Sequence, residues 1–382
     1  MSRVLLAFYN GIYDEQNPRK IPCWYDGLVN GLEKCGHEVF LWQLSEFGSL
    51  NTFFSEADKM SIKAFEPELC LSFNNVLPDV TNVANCPVVT IIVDSAKYLS
   101  NVDLLKNRIV GTFQEADISY LVENYQCSKK NIFLCSPYTE IKPDAAMIPS
   151  VNISFIGTRF GVPRSAEMGA FASNSESLEQ YCRCLEYVKK NPLVNEENVL
   201  EECNVTSRDV IEKINVSDML SLLSAEKRIR TLSAIIDLGL ELYGTRSWLE
   251  RYHFDSRINA SYVDKEVFSV EHNQYIYNHS KIGINISHLQ AVDGFPWRVL
   301  DIMSSNACLV TDWHDGFKKY FNGLDIPIYR DEFEAREVCK SLLTDEVARR
   351  QIVNECNNYT KKNFSLEKFL KQLQEVTGVN LA

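Results

Sequence analysis

Two aspartates, Asp293 and Asp301, stand with seven residues between them in the run DGFPWRVLD. A carboxylate at the end of a loop can accept hydrogen bonds from sugar hydroxyls, and a second one two turns further along can hold a ribose. Gly294 lets backbone approach a ligand closely. Amides near the start of the following helix, helped by its dipole, suit a diphosphate or a carboxylate. The same residues also read as an ordinary loop and a helix with an acid in its first turns, which the dipole alone favours. On the spacing of the acids alone, neither reading wins.

The elements that must position these acids lie around them. Residues 281–286 (KIGINI) form a short β-like run. Trp297, Leu300 and Met303 recur at helical spacing within 297–306. Residues 307–311 (ACLVT) read as a second buried strand. Strand, crossover helix and strand make a parallel β/α unit. Ligands bind such units at the carboxyl ends of the strands, so the loop 287–296 is where chemistry is expected.

DGFPWRVLD resembles the acid-Gly-Phe-x signature of retaining glycosyltransferases of the GT-B type, which usually has two Glu at that gap. With GFP directly after the first acid, the ordinary-loop reading loses ground. Two departures stand out. Both acids are Asp, one methylene shorter than Glu. Asn306 occupies the place where the family usually has Gly before the second strand, and Asn is the best substitute for Gly in a left-handed helix cap.

The chain has 382 residues, 45% hydrophobic and 24% charged, which fits two soluble domains of ordinary size. A net charge of −12 argues against a broad basic surface for nucleic acid, and leaves room for a local basic cleft. The start, MSRVLLAFYNG, is too short in apolar length for an export signal. No stretch approaches the ~18 apolar residues of a membrane span. The 12 Cys are scattered, and the closest pair, Cys182 and Cys184, has one residue between. They are expected to be reduced thiols in a cytoplasmic protein, with no zinc site.

In chain order, residues 3–9 read as a buried strand, 24–35 as a helix and 36–42 (GHEVFLW) as a second strand. Asn10 and Gly11 between them are placed to approach a phosphate or an acceptor, and a simple tight turn is the equal alternative. Runs at 69–73, 88–94, 118–121 (ISYL) and 132–135 read as further strands, alternating with helices such as 102–107 in the manner of a parallel sheet. Asp94 ends one strand, where a catalytic group would be placed, and Asn74 and Asn75 end another. For Asp94 taken alone, a helix-cap or turn role is favoured. Residues 136–151 hold three Pro without periodicity and read as a linker. NISFIGTRFGVPR (152–164) opens a second Rossmann-like unit, with Arg159 and Arg164 in and after its glycine turn. A fixed cation there suits a leaving diphosphate. A polar helical stretch, about 166–224, interrupts the sheet pattern, with Ser207 and Ser217 as candidate caps. Residues 225–244 then give a helix, a turn at Gly239 and a strand ending at Tyr243 and Gly244. Tyr275, Tyr277 and His279 precede the central strand, where one aromatic is placed to stack on a base and core packing serves equally.

VDSAKY, and the order SFIG, helices, LYG, SKIGINIS, DGFPWRVLD and ACLVTD, are similar to CgeB-like (spore-maturation type) glycosyltransferases, and the glycosyltransferase group 1 family more broadly. The resemblance covers most of 152–375 and, more weakly, 1–135. It implies an α/β fold of the GT-B kind, with two Rossmann-like domains facing across a cleft. The expected N-terminal, acceptor-side domain is 1–137 and the linker is 138–151. The donor-side domain is 152–365, with its helical insertion, and a helix at 366–382 packs back toward the N-terminal domain. It implies transfer from a nucleotide sugar with retained anomeric configuration. The absence of any Asp-x-Asp motif fits metal independence. Asp293 and Asp94 are the candidate catalytic residues. Gly157, Arg159, Tyr243, Gly244, His288, Gly294, Phe295, Arg298 and Asp301 are the donor-binding candidates, and Asn10 and Gly11 lie on the acceptor side. The expected acceptor is a glycan of the cell surface, with a lipid-linked glycan, a protein or a small molecule as the other acceptors left open, and peripheral membrane contact left open with them. A sugar-nucleotide epimerase of the same fold and a non-catalytic sugar-nucleotide or glycan-binding protein are the other readings.

Overall fold

A computed structural model describes residues 1–9, 23–44, 55–74, 76, 80–160, 171, 174–249, 256–265, 267 and 269–381. Among the described residues, eleven strands form two parallel sheets. The first runs in the order β2-β1-β3-β4-β5-β6, from β1 (Arg3–Tyr9), β2 (Glu38–Leu44), β3 (Leu69–Phe73), β4 (Val88–Ile92), β5 (Ile109–Thr112) and β6 (Ile132–Leu134). The second runs β11-β10-β9-β7-β8, from β7 (Val151–Ile156), β8 (Leu240–Tyr243), β9 (Ser280–Asn285), β10 (Cys308–Asp312) and β11 (Ile328–Tyr329). Every residue of β3, β4 and β10 is buried. That is the expected pattern for parallel strands covered by helices on both faces, and it is why these strands read as unbroken apolar runs.

Each sheet reverses its strand order once, between β1 and β3 in the first and between β7 and β9 in the second. Such switch points open a crevice at the carboxyl ends of the strands. The first core also takes in the last helix, Leu366–Thr377, whose Leu366, Phe369, Leu370 and Leu373 pack with Val4, Leu28 and Leu71.

Three expectations are corrected. Residues 118–121 are helical, inside Glu115–Tyr125, and the strand of this unit is β5. A four-residue apolar run carries no period of its own. Glu115 and Asp117 in the first turn favour helix, and Asp117 and Leu121 share its buried face. Gly111 within β5 is needed there, since a Cβ would meet Cys135 Sγ at 2.6 Å and Phe133 Cζ at 2.9 Å. Asn215, not Ser217, caps the Val216–Ile235 helix, accepting from the Asp218 amide at 3.0 Å. Asn306 is not among the described residues with a left-handed backbone. Its side chain instead donates to the Asp144 carbonyl at 2.7 Å, tying the second sheet to the segment between the sheets.

The helical stretch folds on itself. Helices Ser175–Lys190, Glu196–Glu202 and Arg208–Lys213 and the front of Val216–Ile235 enclose Tyr181, Cys184, Val188, Val199, Val210 and Met219. Tyr98 from the first half and Leu289 from the loop after β9 pack against this core. Val216–Ile235 runs on without a break into the core of the second sheet, where Leu232 and Ile235 are buried.

Candidate functional site

The carboxyl ends of β4, β5, β7 and β9 converge on one cavity of about 390 Å³ between the two sheets. Trp24, Asp94 and Gln114 line it from the first half, and Gly157, Arg228 and Arg298 from the second.

The second-half wall is cationic. Arg298 opens the Arg298–Met303 helix and donates to Asn285 Oδ1 at 3.0 Å. Asn285 is itself held by Thr311 and Ser287, so the guanidinium is fixed from the tips of β9 and β10. Its Cζ lies 4.8 Å from the centre of the Phe155 ring. Arg228, on the Val216–Ile235 helix, is buried, donates to the Thr158 carbonyl and sits 3.8 Å over the Phe160 ring. Among the described residues its Nε has no partner. Neighbouring Lys227 is neutralised by Asp312, whereas neither arginine is ion-paired with a carboxylate among the described residues. Burial drives the Arg228 guanidinium well below its ordinary range, and the charge of Arg298 adds to this. Two cations, one buried and one half-buried, with no carboxylate partner among the described residues favour an anion in the cavity. His288 lines the same wall. Its Nδ1 accepts from the Gln290 amide at 3.1 Å, which places the ring proton on Nε2. Burial first, then Arg228 and Lys227, push it down to about 3, so His288 is a neutral donor at working pH.

The first-half wall carries the acid Asp94. Asn74 donates to its Oδ2 at 2.6 Å and Gln290 to its Oδ1 at 2.9 Å. Asn74 has a left-handed backbone, φ 54°, and its Oδ1 takes the Val93 and Asp94 amides. Burial raises the Asp94 carboxyl above the usual range, against these two hydrogen bonds. Gln114 bridges the halves. It donates to the Asp94 carbonyl at 3.2 Å and to Asp117 at 2.9 Å, and accepts from the Val292 amide at 3.0 Å. Asp117 is buried and pushed up to about 6 by that burial.

The two acids of the opening motif part company. Asp301 lines the cavity and accepts from Thr139 at 2.6 Å; burial lifts it to about 6. Asp293 points across the cleft instead. Both its oxygens accept from the Ala116 amide, each at 3.2 Å, so it caps the Glu115–Tyr125 helix of the other half. Gly294 follows because the halves touch there: a Cβ would lie 3.0 Å from Gln114 Cβ and from the Phe113 carbonyl. The expected dipole contribution is small, since the helix has six residues and its Val299 and Asp301 amides already bond Pro296 and Trp297.

The remaining candidates are dispersed. Gly157 is in the cavity wall. Arg159 is 2% exposed and is not among the cavity residues. Phe295 touches the cavity, but its ring packs among Phe317, Tyr320, Phe321 and Phe364. Tyr243 is buried in the same cluster and bonded to Glu241. Gly244, φ 133°, lets two loops meet: a Cβ would sit 2.2 Å from the Gly157 carbonyl. Gly244→Ala is therefore expected to displace the Gly157 turn and lower the melting temperature, as thermal melts will read. Tyr277 lines the cavity, while Tyr275 and His279 pair with each other at 3.8 Å on the outer side. Asn10, Gly11, Asn75 and Arg164 lie outside the described residues.

Sequence reasoning missed Arg228, Gln114, Gln290 and the Trp24–Trp297 pair. Trp24, from the Cys23–Lys34 helix, stacks on Trp297 at 4.2 Å and 5°, joining the halves. Only the Trp297 position carried a periodic signal.

Two parallel Rossmann-like sheets, facing across a cleft at their carboxyl ends, define the GT-B architecture. Residues 226–375 match the family model described as glycosyl transferase-like, a stretch that contains Arg228, His288, Arg298 and Asp301. Among solved structures, sucrose-phosphate synthase of Thermosynechococcus elongatus is 10% identical, with a TM-score of 0.56 over 97% of this chain and 98% of that one. T4 phage BGT, solved with its UDP-glucose substrate, is 8% identical, with a TM-score of 0.52 over 99% and 100%. Anabaena HepE, solved with UDP and glucose, is 11% identical, with a TM-score of 0.50 over 99% and 100%. At such identities these likenesses show the shared fold. No curated protein sequence matches the chain significantly. Among the described residues no helix is long and apolar enough to cross a membrane.

Proposed function

We propose that this protein is a glycosyltransferase. It holds a nucleoside-diphosphate sugar in the cleft and passes the sugar to an acceptor hydroxyl that enters along the first half. The observation that carries this reading is the pair of buried Arg228 and half-buried Arg298, which have no carboxylate partner among the described residues where four strand ends meet. A diphosphate supplies the missing charge, and two guanidiniums can neutralise it as it leaves, without a metal. Asp301 is the ribose-binding acid of the proposal, and the His288 Nε2 proton faces the donor. The CgeB-like pattern of SFIG, LYG and DGFPWRVLD supports a surface glycan as acceptor, and the UDP-containing neighbours support UDP as the donor nucleotide.

The resemblance of DGFPWRVLD to the retaining acid-x7-acid enzymes supports retention, with Asp293 leaving Ala116 to contact the sugar.

Thermal-shift binding against UDP, GDP, dTDP and CMP and their sugars, with EDTA or with Mg²⁺, tests the reading. The expected result is a metal-independent rise with one nucleotide family. No shift with any of them removes the donor site. Binding with altered sugar and no acceptor requirement indicates an epimerase, and binding with no turnover indicates a sugar-nucleotide-binding protein.

A further inference from the structure

Thr139 lies in the segment 135–150 that joins β6 to β7, at the point where the chain passes from one half to the other. Its predecessor Tyr138 is buried in the first core beside Trp24 and Phe369. Three residues on, the Lys142 amide donates to Gln274 at 2.8 Å and the Lys142 carbonyl accepts from Asn278 at 2.9 Å, both of the second half. Between these anchors the Thr139 hydroxyl donates to Asp301 Oδ1 at 2.6 Å, and the Ile141 amide donates to the same hydroxyl at 3.1 Å. The amide has only a proton to give, so the hydroxyl accepts from Ile141 and turns its own single proton to Asp301. Oδ1 is thereby fixed as an acceptor. Oδ2 takes no hydrogen bond from a described residue, and Asp301 lines the cavity. Thr139 is not among the residues that line it.

We infer that Thr139 is a positioning residue for donor binding: from the segment between the halves, its hydroxyl holds Asp301 as a hydrogen-bond acceptor for the ribose. The inference rests on the donor reading above. A ribose diol gives two protons, so it bonds a carboxylate better than a neutral acid, which has a proton of its own to place. Desolvation lifts the Asp301 carboxyl to about 6, and the Thr139 bond, ahead of the charge of Arg298, draws it down. The other titratable groups beside it are Cys23 of the Cys23–Lys34 helix, Tyr138 of the connecting segment and Tyr277 of the Val270–Asn278 helix. Burial raises all three above their ordinary ranges, so they stay neutral and do not titrate with Asp301. Removing the Thr139 donor lifts the Asp301 carboxyl further. Donor affinity is therefore full where Asp301 is ionised and falls as pH drops through its titration, and loss of the hydroxyl moves that fall to higher pH.

The test uses the full chain and the nucleotide sugar selected by the binding panel, whose diphosphate is a diester with no proton to gain near neutral pH. Its dissociation constant is measured by calorimetry between about pH 5 and pH 8 for wild type, Thr139→Val, Thr139→Ser and Asp301→Asn. Wild-type affinity should fall roughly five- to tenfold toward the acid end, the difference between a charge-assisted and a neutral hydrogen bond. Thr139→Val should bind at about pH 7 as weakly as the wild type does near pH 6, and recover by about pH 8. Thr139→Ser should keep the wild-type profile. Asp301→Asn should bind weakly at every pH, which assigns the fall to Asp301 and not to Asp94 or Asp117, two other carboxyls that burial raises. Valine leaves the Ile141 amide without its acceptor, so a lower melting temperature is expected from a purely structural threonine too; the pH of the fall decides. A pH-independent wild type, an Asp301→Asn variant that keeps the fall, a Thr139→Val profile that coincides with wild type or is lowered equally at every pH, or a Thr139→Ser profile like that of valine overturns the role of Thr139. A wild type that binds no nucleotide sugar at any pH overturns the donor reading instead, and the role of Thr139 with it.

Discussion

Arg298→Met and Arg228→Met are each expected to weaken nucleoside-diphosphate binding by roughly 10- to 150-fold, from hydrogen bonds to a charged group worth about 1.5–3 kcal/mol. The double variant should show no binding by calorimetry at millimolar nucleotide. Stability should move the other way. Arg228 keeps a charge buried against Phe155 and Phe160, with its Nε unpartnered, and burial already pushes the guanidinium toward neutrality. Methionine keeps the contact with those rings and removes the charge. Removing an uncompensated buried charge relieves a desolvation cost. The Arg228→Met protein should therefore melt at or above the wild-type temperature while losing its ligand. A structural arginine would behave oppositely, with lower melting and unchanged affinity for whatever protein still folds. Arg298 is the more conservative case, because Asn285 Oδ1 loses its donor in the variant. A small drop in melting temperature is expected there.

The second large effect falls on the seam between the halves. Trp297→Ala removes a ring stacked on Trp24 and edged by Tyr25 and Phe113. Truncating a large buried aromatic typically costs about 3–5 kcal/mol, and a partly buried one less. Polar contacts that remain across the cleft include Asp293 to Ala116, Gln290 to Asp94 and Thr139 to Asp301. Each such bond contributes about 1 kcal/mol net. The variant is expected to lose cooperativity between the halves, so that scanning calorimetry resolves two transitions where the wild type gives one. The last helix, Leu366–Thr377, belongs to the first core although it ends the chain. That helix should therefore unfold together with the first half, and a single unchanged transition would show that the tryptophan pair does not couple the halves.

The order of elements was legible in the chain because the signals are local. Unbroken apolar runs mark strands buried on both faces. Helical spacing at Trp297, Leu300 and Met303 marks a crossover, and both give the parallel pattern and hence the edge where ligands bind. Asp94, Gly157, His288, Arg298 and Asp301 could be placed at that edge from the sequence, since each follows or starts an element. The one misread element, 118–121, failed because four apolar-rich residues carry no period and β5 is interrupted by a glycine that its neighbours demand.

What the sequence determined by itself, then, was two parallel β/α units and a set of polar residues at their strand ends. Only the tertiary structure decided which of those residues face the cavity. Asp293 meets Ala116 across 177 positions, and Gln290 meets Asp94 across 196. No local pattern encodes such a contact. Arg228 sat unmarked in a long helix, and it became half of the cation pair because Phe155, Phe160 and the Thr158 carbonyl come to meet it. Arg159, beside the glycine turn, went into the protein instead. Spacing along a chain sets which residues share an element's face. What that face looks onto depends on how the two sheets dock, and the docking is set by the sum of contacts between residues far apart in the chain.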